Sequence, residues 1–206
     1  MNNTLSNHIC RKPYWGHPNI ALKFCEDKYD NSEYIAEYYN TISAISYILV
    51  GAYFIRGKHS DLGYLTILLG IGTMIMHSTL RKYGQWMDEI SMLLITSLVI
   101  HKLRNSSVVV LLSEIYMIMV LYSCTHEYSI VFVLIFFSNM LFIGYLIKDK
   151  VKTNINLVLY VILMGTSMMF WFVDQILCEY IDNNYYHAIW HIGTALSMFF
   201  GYLELN

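Results

Sequence analysis

The chain has 206 residues, 56% of them hydrophobic and 14% charged, with a formal net charge of -2 and a mean hydropathy of +0.44. Soluble domains carry about 25% charged residues, and the apolar excess here falls in blocks, which points to a polytopic membrane protein. No basic balance argues for a nucleic-acid partner.

Residues 1–33 are polar and hold no apolar core of a signal peptide, so no cleavable leader is expected and the first membrane helix would serve as the targeting signal. The two prolines, Pro13 and Pro18, both lie in this segment. Seven apolar blocks follow: Tyr34–Ile55, Leu62–Leu80, Trp86–His101, Val108–Cys124, Ile130–Ile147, Ile155–Leu177 and Tyr186–Leu203. A helical span needs about 20 residues, within a range of about 17–25. The third block is short and opens on Asp88 and Glu89. The blocks are too long for strands and lack period-two alternation. The predicted fold is therefore all-α, a polytopic bundle of seven transmembrane helices. The polar segment 1–33 precedes a membrane domain over 34–206, with no repeat, linker or second domain.

Seven crossings would put the termini on opposite sides. Loops opposite the N-terminus hold Arg56, Lys58, Lys102, Arg104, Lys148, Lys150 and Lys152, whereas the later loops on the N-terminal side hold Arg81 and Lys82. Positive charge collects on the cytosolic side, although Arg11, Lys12, Lys23 and Lys28 of the N-terminal segment weigh the other way. The predicted N-terminus is luminal or exoplasmic and the C-terminus cytosolic. Of the four cysteines, Cys25 and Cys178 then share the oxidising side, which permits a disulfide between them.

This topology brings four ionisable residues to one depth. His77 ends the second block, Asp88 opens the third, and His187 and His191 open the seventh. Ionisable groups in membrane helices are costly unless they are used. His187 and His191 are four apart, so a helix stacks them on one face, where two imidazoles can share a metal ion and His77 can supply a third ligand. Thr73 stands one turn before His77. Three histidines holding Zn2+ leave a fourth position for water, whose pKa falls from 15.7 to about 7. Asp88 would serve as general base, and the Thr73 hydroxyl would help stabilise an oxyanion. The alternative for the His pair alone is an ordinary interfacial position. His8, His17, His59, His101 and His126 read as surface residues, and Asp174 as a helix-packing residue or a proton relay.

The same regions carry a resemblance. The run YWGHPNIALKFCEDKYDNSEYIAEYYNTIS resembles the N-terminal signature of the alkaline ceramidases, GIGTMIMHSTLRKYGQWMDEISM resembles their G-x-GS-x-x-FH-[AS]-T-L…Q-x-x-DE-x-PM, and FWFVDQILCEY…YYHAIWH resembles their W-x-x-D-x-x-x-C…HA-x-WH. The three runs occur in order over residues 14 to 191. The resemblance implies a seven-helix zinc amidase that cleaves ceramide to a sphingoid base and a fatty acid. It implies zinc ligation by His77, His187 and His191, an acidic role for Asp88 on the attacking water, a disulfide between Cys25 and Cys178, and Thr73 where the family has serine. The implied partners are membrane lipids and a ceramide-like substrate, with no obligate protein partner evident.

One part of the pattern departs. The resemblance implies a calcium site built from the Asp and Glu of DWCE, an Asn two residues later, a backbone carbonyl and the Glu of YIAE. Here Glu26 and Glu37 remain and Phe24 can offer a carbonyl, but Lys23 replaces the Asp and Lys28 the Asn. An ammonium is prohibitive as a ligand in a cage of oxygen donors, which puts Ca2+ in doubt. Lys23 is expected to substitute for the ion by pairing with Glu26 or Glu37, the alternative being that Asp27 or Asp30 shifts in and calcium still binds. Relatives of the adiponectin-receptor type supply the rival function, a receptor-like membrane protein with a structural zinc. A third reading is an inactive homologue, against which the retained Asp88 argues.

Overall fold

The structure, a computed structural model, describes residues 13–20, 22–105, 112, 115, 128–178, 180 and 185–205. Among these residues every regular element is helical. The elements are α1 (Tyr38–Ser43), α2 (Ile45–Phe54), α3 (Ser60–Thr79), α4 (Lys82–Arg104), α5 (Tyr128–Ile147), α6 (Ile155–Ile176) and α7 (Tyr186–Leu203). A 3₁₀ turn, Lys150–Lys152, leads into α6. The predicted block Val108–Cys124 lies outside the described residues.

The first predicted span, Tyr34–Ile55, is broken. It divides at Ala44 into α1 and α2. Hydroxyls in this stretch bond back to the main chain: Thr41 Oγ1 donates to Glu37 O, Ser43 Oγ to Asn40 O and Ser46 Oγ to Ser43 O. Such bonds compete with the helix ladder for carbonyls. The third span is longer than its apolar block, because α4 takes in polar residues at both ends and runs for 23 residues. Asp88 therefore sits in the second turn of this helix rather than the first.

Among the described residues, three helices are long and apolar enough to cross a membrane, over Ser60–Thr79, Ile130–Ile147 and Ile155–Ile176. In α4 and α7, positions that could have been apolar go to Asp88, Glu89, His187, His191, Thr194 and Ser197. Large apolar side chains such as Leu49, Leu134, Leu141 and Ile162 point outward, as a lipid-facing surface requires.

Helix α2 packs against both α3 and α7, α3 against α4, α4 against α5, and α6 against α7, while α1 touches α3 and α7. The core between them is built from Ala44, Tyr47, Leu69, Leu93, Trp190 and Ala195. Without a hydrophobic drive in lipid, helices associate where small residues admit close packing. At α3–α4 a Cβ added to Gly72 would lie 2.8 Å from the Asp88 amide nitrogen, and one on Gly84 would lie 2.6 Å from Met76 Cα. These glycines let the two backbones meet beside His77 and Asp88.

Residues 13–20 and 22–37 form a strap fastened over one end of the bundle. Helix α3 stops at Leu80, a buried residue with φ 53° in the left-handed region, and its last turns leave carbonyls for outside donors. The strap supplies them: Asn19 N donates to Leu80 O, Ala36 N to Ser78 O and Glu37 N to His77 O. Arg81 Nη1 donates to His17 O, and Lys82 N to Asn19 Oδ1. A Cys25–Cys178 disulfide, with Cα atoms 5.0 Å apart, ties the strap to the end of α6. His59 departs from its expectation as a surface residue: it is 7% exposed just ahead of α3. His8 and His126 lie outside the described residues.

Candidate metal centre

The strapped end collects the C-terminal turns of α3 and α6 and the N-terminal turns of α4 and α7. His77, His187 and His191 meet there, all buried, each offering a ligand atom within 4.8 Å of the others. Their ring centroids are 4.6 to 5.0 Å apart. Phe24 of the strap covers them, 4.8 Å from the His77 ring and 4.3 Å from that of His187.

His77 and His191 are held by their Nδ1 atoms. His77 Nδ1 lies 2.5 Å from Glu37 Oε2. His191 Nδ1 lies 2.8 Å from Ser43 Oγ. The Ser43 proton goes to the Asn40 carbonyl at 3.0 Å, so the serine oxygen accepts and His191 Nδ1 is the protonated nitrogen. His187 Nδ1 faces Asp174 Oδ2 at 3.4 Å; Asp174 also accepts from Cys25 N and Gln175 Nε2. With Nδ1 of His77 and of His191 hydrogen-bonded and that of His187 turned toward Asp174, Nε2 is the atom left for ligation, and His77 Nε2 is buried without a hydrogen-bond partner. Three buried imidazoles within reach of one another, two of them anchored through Nδ1, are the donor set that Zn2+ takes. The residues fit the ion.

Asp88, His187 and His191 line one cavity with an empty volume of about 500 Å³, walled otherwise by Leu22, Phe24, Met92, Phe136, Trp171, Trp190 and other apolar residues. Glu89, in the same wall, accepts from Gln85 Nε2 at 2.7 Å. Asp88 Oδ1 is hydrogen-bonded to Thr73 Oγ1. The single Thr73 proton has two acceptors, Asp88 and the Leu69 carbonyl at 2.8 Å. Thr73 thereby ties α3 to the carboxylate of Asp88 on α4.

At the other margin the expected pairing is corrected. The ion pair to Glu37 Oε1 comes from Lys28, not from Lys23. Lys23 is exposed, and its carbonyl accepts Gln175 Nε2. Glu26 turns its carboxylate to the amides of Tyr39 and Asn40 at 2.7 and 2.8 Å. Burial pushes Glu26 up to about 7 from its ordinary 4.5, against the lowering effect of those amides. The chemistry that the resemblance assigns to calcium does not fit this margin, because an ammonium stands among the oxygens.

Glu37, Asp174 and Ser43 are the functional partners that the sequence reading did not assign to the histidines. The spacing of Asp174 from His187 and of Glu37 from His77 carries no such signal; a carboxylate inside an apolar block, as Asp174 and Glu37 both are, is the hint that the sequence holds.

The family profile described as Ceramidase matches residues 16–205. The chain is 26% identical over 246 aligned positions to the putative alkaline ceramidase dcd3B of Dictyostelium discoideum, covering 91% of this chain and 86% of the relative. It is 27% identical to alkaline ceramidase 3 of Mus musculus, over 93% of this chain and 84% of the relative. Against alkaline ceramidase 1 of Homo sapiens it is 23% identical, over 93% and 83% of the two chains.

Proposed function

The chain belongs to the ceramidase family, and on that premise we propose that it is a zinc-dependent intramembrane amide hydrolase that cleaves ceramide, or a close lipid amide, to a sphingoid base and a fatty acid. The observation that supports this reading is the meeting of three buried histidines, His77, His187 and His191, beside a cavity that His187 and His191 line together with Asp88. His77, His187 and His191 would hold Zn2+. When bound, the ion supplies Lewis acidity that polarises an amide carbonyl and acidifies water toward neutrality.

The remaining work falls to the chain. Asp88, oriented by Thr73, takes a proton from the water that adds to the carbonyl carbon, and returns a proton to the amine nitrogen as the C–N bond breaks. Phe24 and the aromatic wall exclude bulk water from the reacting atoms. A second apolar cavity between α4, α5, α6 and α7 shares Met92, Phe136 and Trp190 with the first. It suits the long hydrocarbon chain of a lipid amide whose polar head reaches the histidines. In this reading the bundle has seven crossings, with the strap and the site at the luminal or exoplasmic face and the C-terminus cytosolic.

The test is to reconstitute the protein with labelled ceramides and compare it with Asp88→Asn and His187→Ala, measuring bound zinc and turnover together. Asp88→Asn keeps zinc and loses most activity, whereas His187→Ala loses both. No turnover of any ceramide by the zinc-loaded wild type would overturn the hydrolase in favour of the receptor-like reading.

A further inference from the structure

Lys28 reaches back across its own turn, and its ammonium is ringed by oxygens. Nζ donates to the Phe24 carbonyl at 2.9 Å and to the Glu26 carbonyl at 2.6 Å, and it is paired with Glu37 Oε1. Two main-chain carbonyls and a carboxylate form the kind of oxygen cage that a hard cation uses, here closed around a side chain of the same strap. The carboxylate is fully buried, and its second oxygen holds His77 Nδ1 and accepts from Asn40 Nδ2 at 3.1 Å. A single anion thus connects the caged ammonium to the histidine cluster.

We propose that Lys28 is a tethered cation that takes the place of a bound calcium ion, so that this chain closes its strap and neutralises Glu37 without any divalent metal at that position. Three facts carry the proposal. The donors already engaged by Nζ are the ones a cation would need. Lys23 stands where an anionic oxygen donor would otherwise help, and it is exposed. The Glu26 carboxylate is committed to the Tyr39 and Asn40 amides instead of facing a metal. A divalent ion entering this cage would meet an ammonium at contact distance. The choice of calcium as the displaced ion rests on the family assignment; the caged ammonium does not.

The test uses purified full-length protein in detergent, with calcium binding measured by equilibrium dialysis and unfolding followed thermally, in chelator and in added calcium chloride. These readouts are independent of ceramide turnover, so failure here is distinct from failure of the hydrolase reading. The wild type is expected to take up no stoichiometric calcium and to show the same Tm in both conditions. Lys28→Met lowers Tm, and calcium does not restore it. Lys28→Asn, which removes the ammonium and adds an oxygen donor, lowers Tm in chelator and regains stability with calcium. One equivalent of calcium bound to the wild type with a rise in Tm overturns the proposal, and so does a Lys28→Met variant as stable as wild type in chelator.

Discussion

Gly72 offers the sharpest test of how the fold positions the site. Replacing it with alanine places a Cβ 2.8 Å from the Asp88 amide nitrogen and from the Met87 carbonyl carbon, and 3.0 Å from Met87 Cβ. Ordinary contact begins at 3.4 Å, so α3 and α4 must part by about 0.6 Å, and the obstructing atoms are mostly backbone. Overpacking of this kind costs about 1–3 kcal/mol. The separation falls between Thr73 and Asp88, whose hydrogen bond spans these helices. A misplacement of about 1 Å can cost about 100-fold in rate, so a loss of about tenfold in kcat is expected. The assay is hydrolysis of a fluorescent ceramide by purified Gly72→Ala, with bound zinc quantified by mass spectrometry and Tm measured in parallel. Zinc content should hold, since Gly72 touches none of the histidines' partners, while kcat and Tm both fall. Gly165→Ala on α6 is the control, because nothing lies within 4 Å of its added Cβ. Wild-type kcat in a Gly72→Ala variant with lowered Tm would refute the claim that α3–α4 contact sets Asp88.

Two further outcomes follow from the strap. Glu37→Gln weakens the hold on His77 and leaves Lys28 without its buried counter-charge; zinc affinity, read by chelator competition, should fall by about 10- to 100-fold, and unchanged affinity would remove Glu37 from the site. Glu26 has a folded-state pKa raised from 4.5 to about 7 by burial, so the stability it contributes is present below its unfolded value and is lost as pH rises through about 7. Glu26→Gln should therefore gain Tm relative to wild type as pH is raised from about 5 to about 8, and a difference independent of pH would contradict the burial effect.

The last helix shows how much local pattern can settle. Its predicted block and its observed bounds coincide at Tyr186–Leu203, and the four-residue spacing of His187 and His191 fixes their shared face in any helix. The first block shows the limit. Its hydropathy reads as one span, yet the helix divides at Ala44. That break is useful, because it leaves Ser43 facing His191.

Apolar blocks, their helical nature and the three candidate zinc ligands are properties of composition and short-range spacing, and the chain carries them without help from its fold. The partners of those ligands are not of that kind. Ser43 and His191 are 148 positions apart, and Glu37 and His77 are 40 apart; only helix packing brings them within hydrogen-bond reach. The same holds for the cation at Glu37. Lys23 and Lys28 are equivalent as letters in a polar segment, and the turn of the strap decides that the Lys28 ammonium meets the Phe24 and Glu26 carbonyls and Glu37. Hydrophobic transfer and helical periodicity act locally, so sequence records them directly. Hydrogen-bond pairing in a dry interior depends on which backbones approach, and that was decided by tertiary structure.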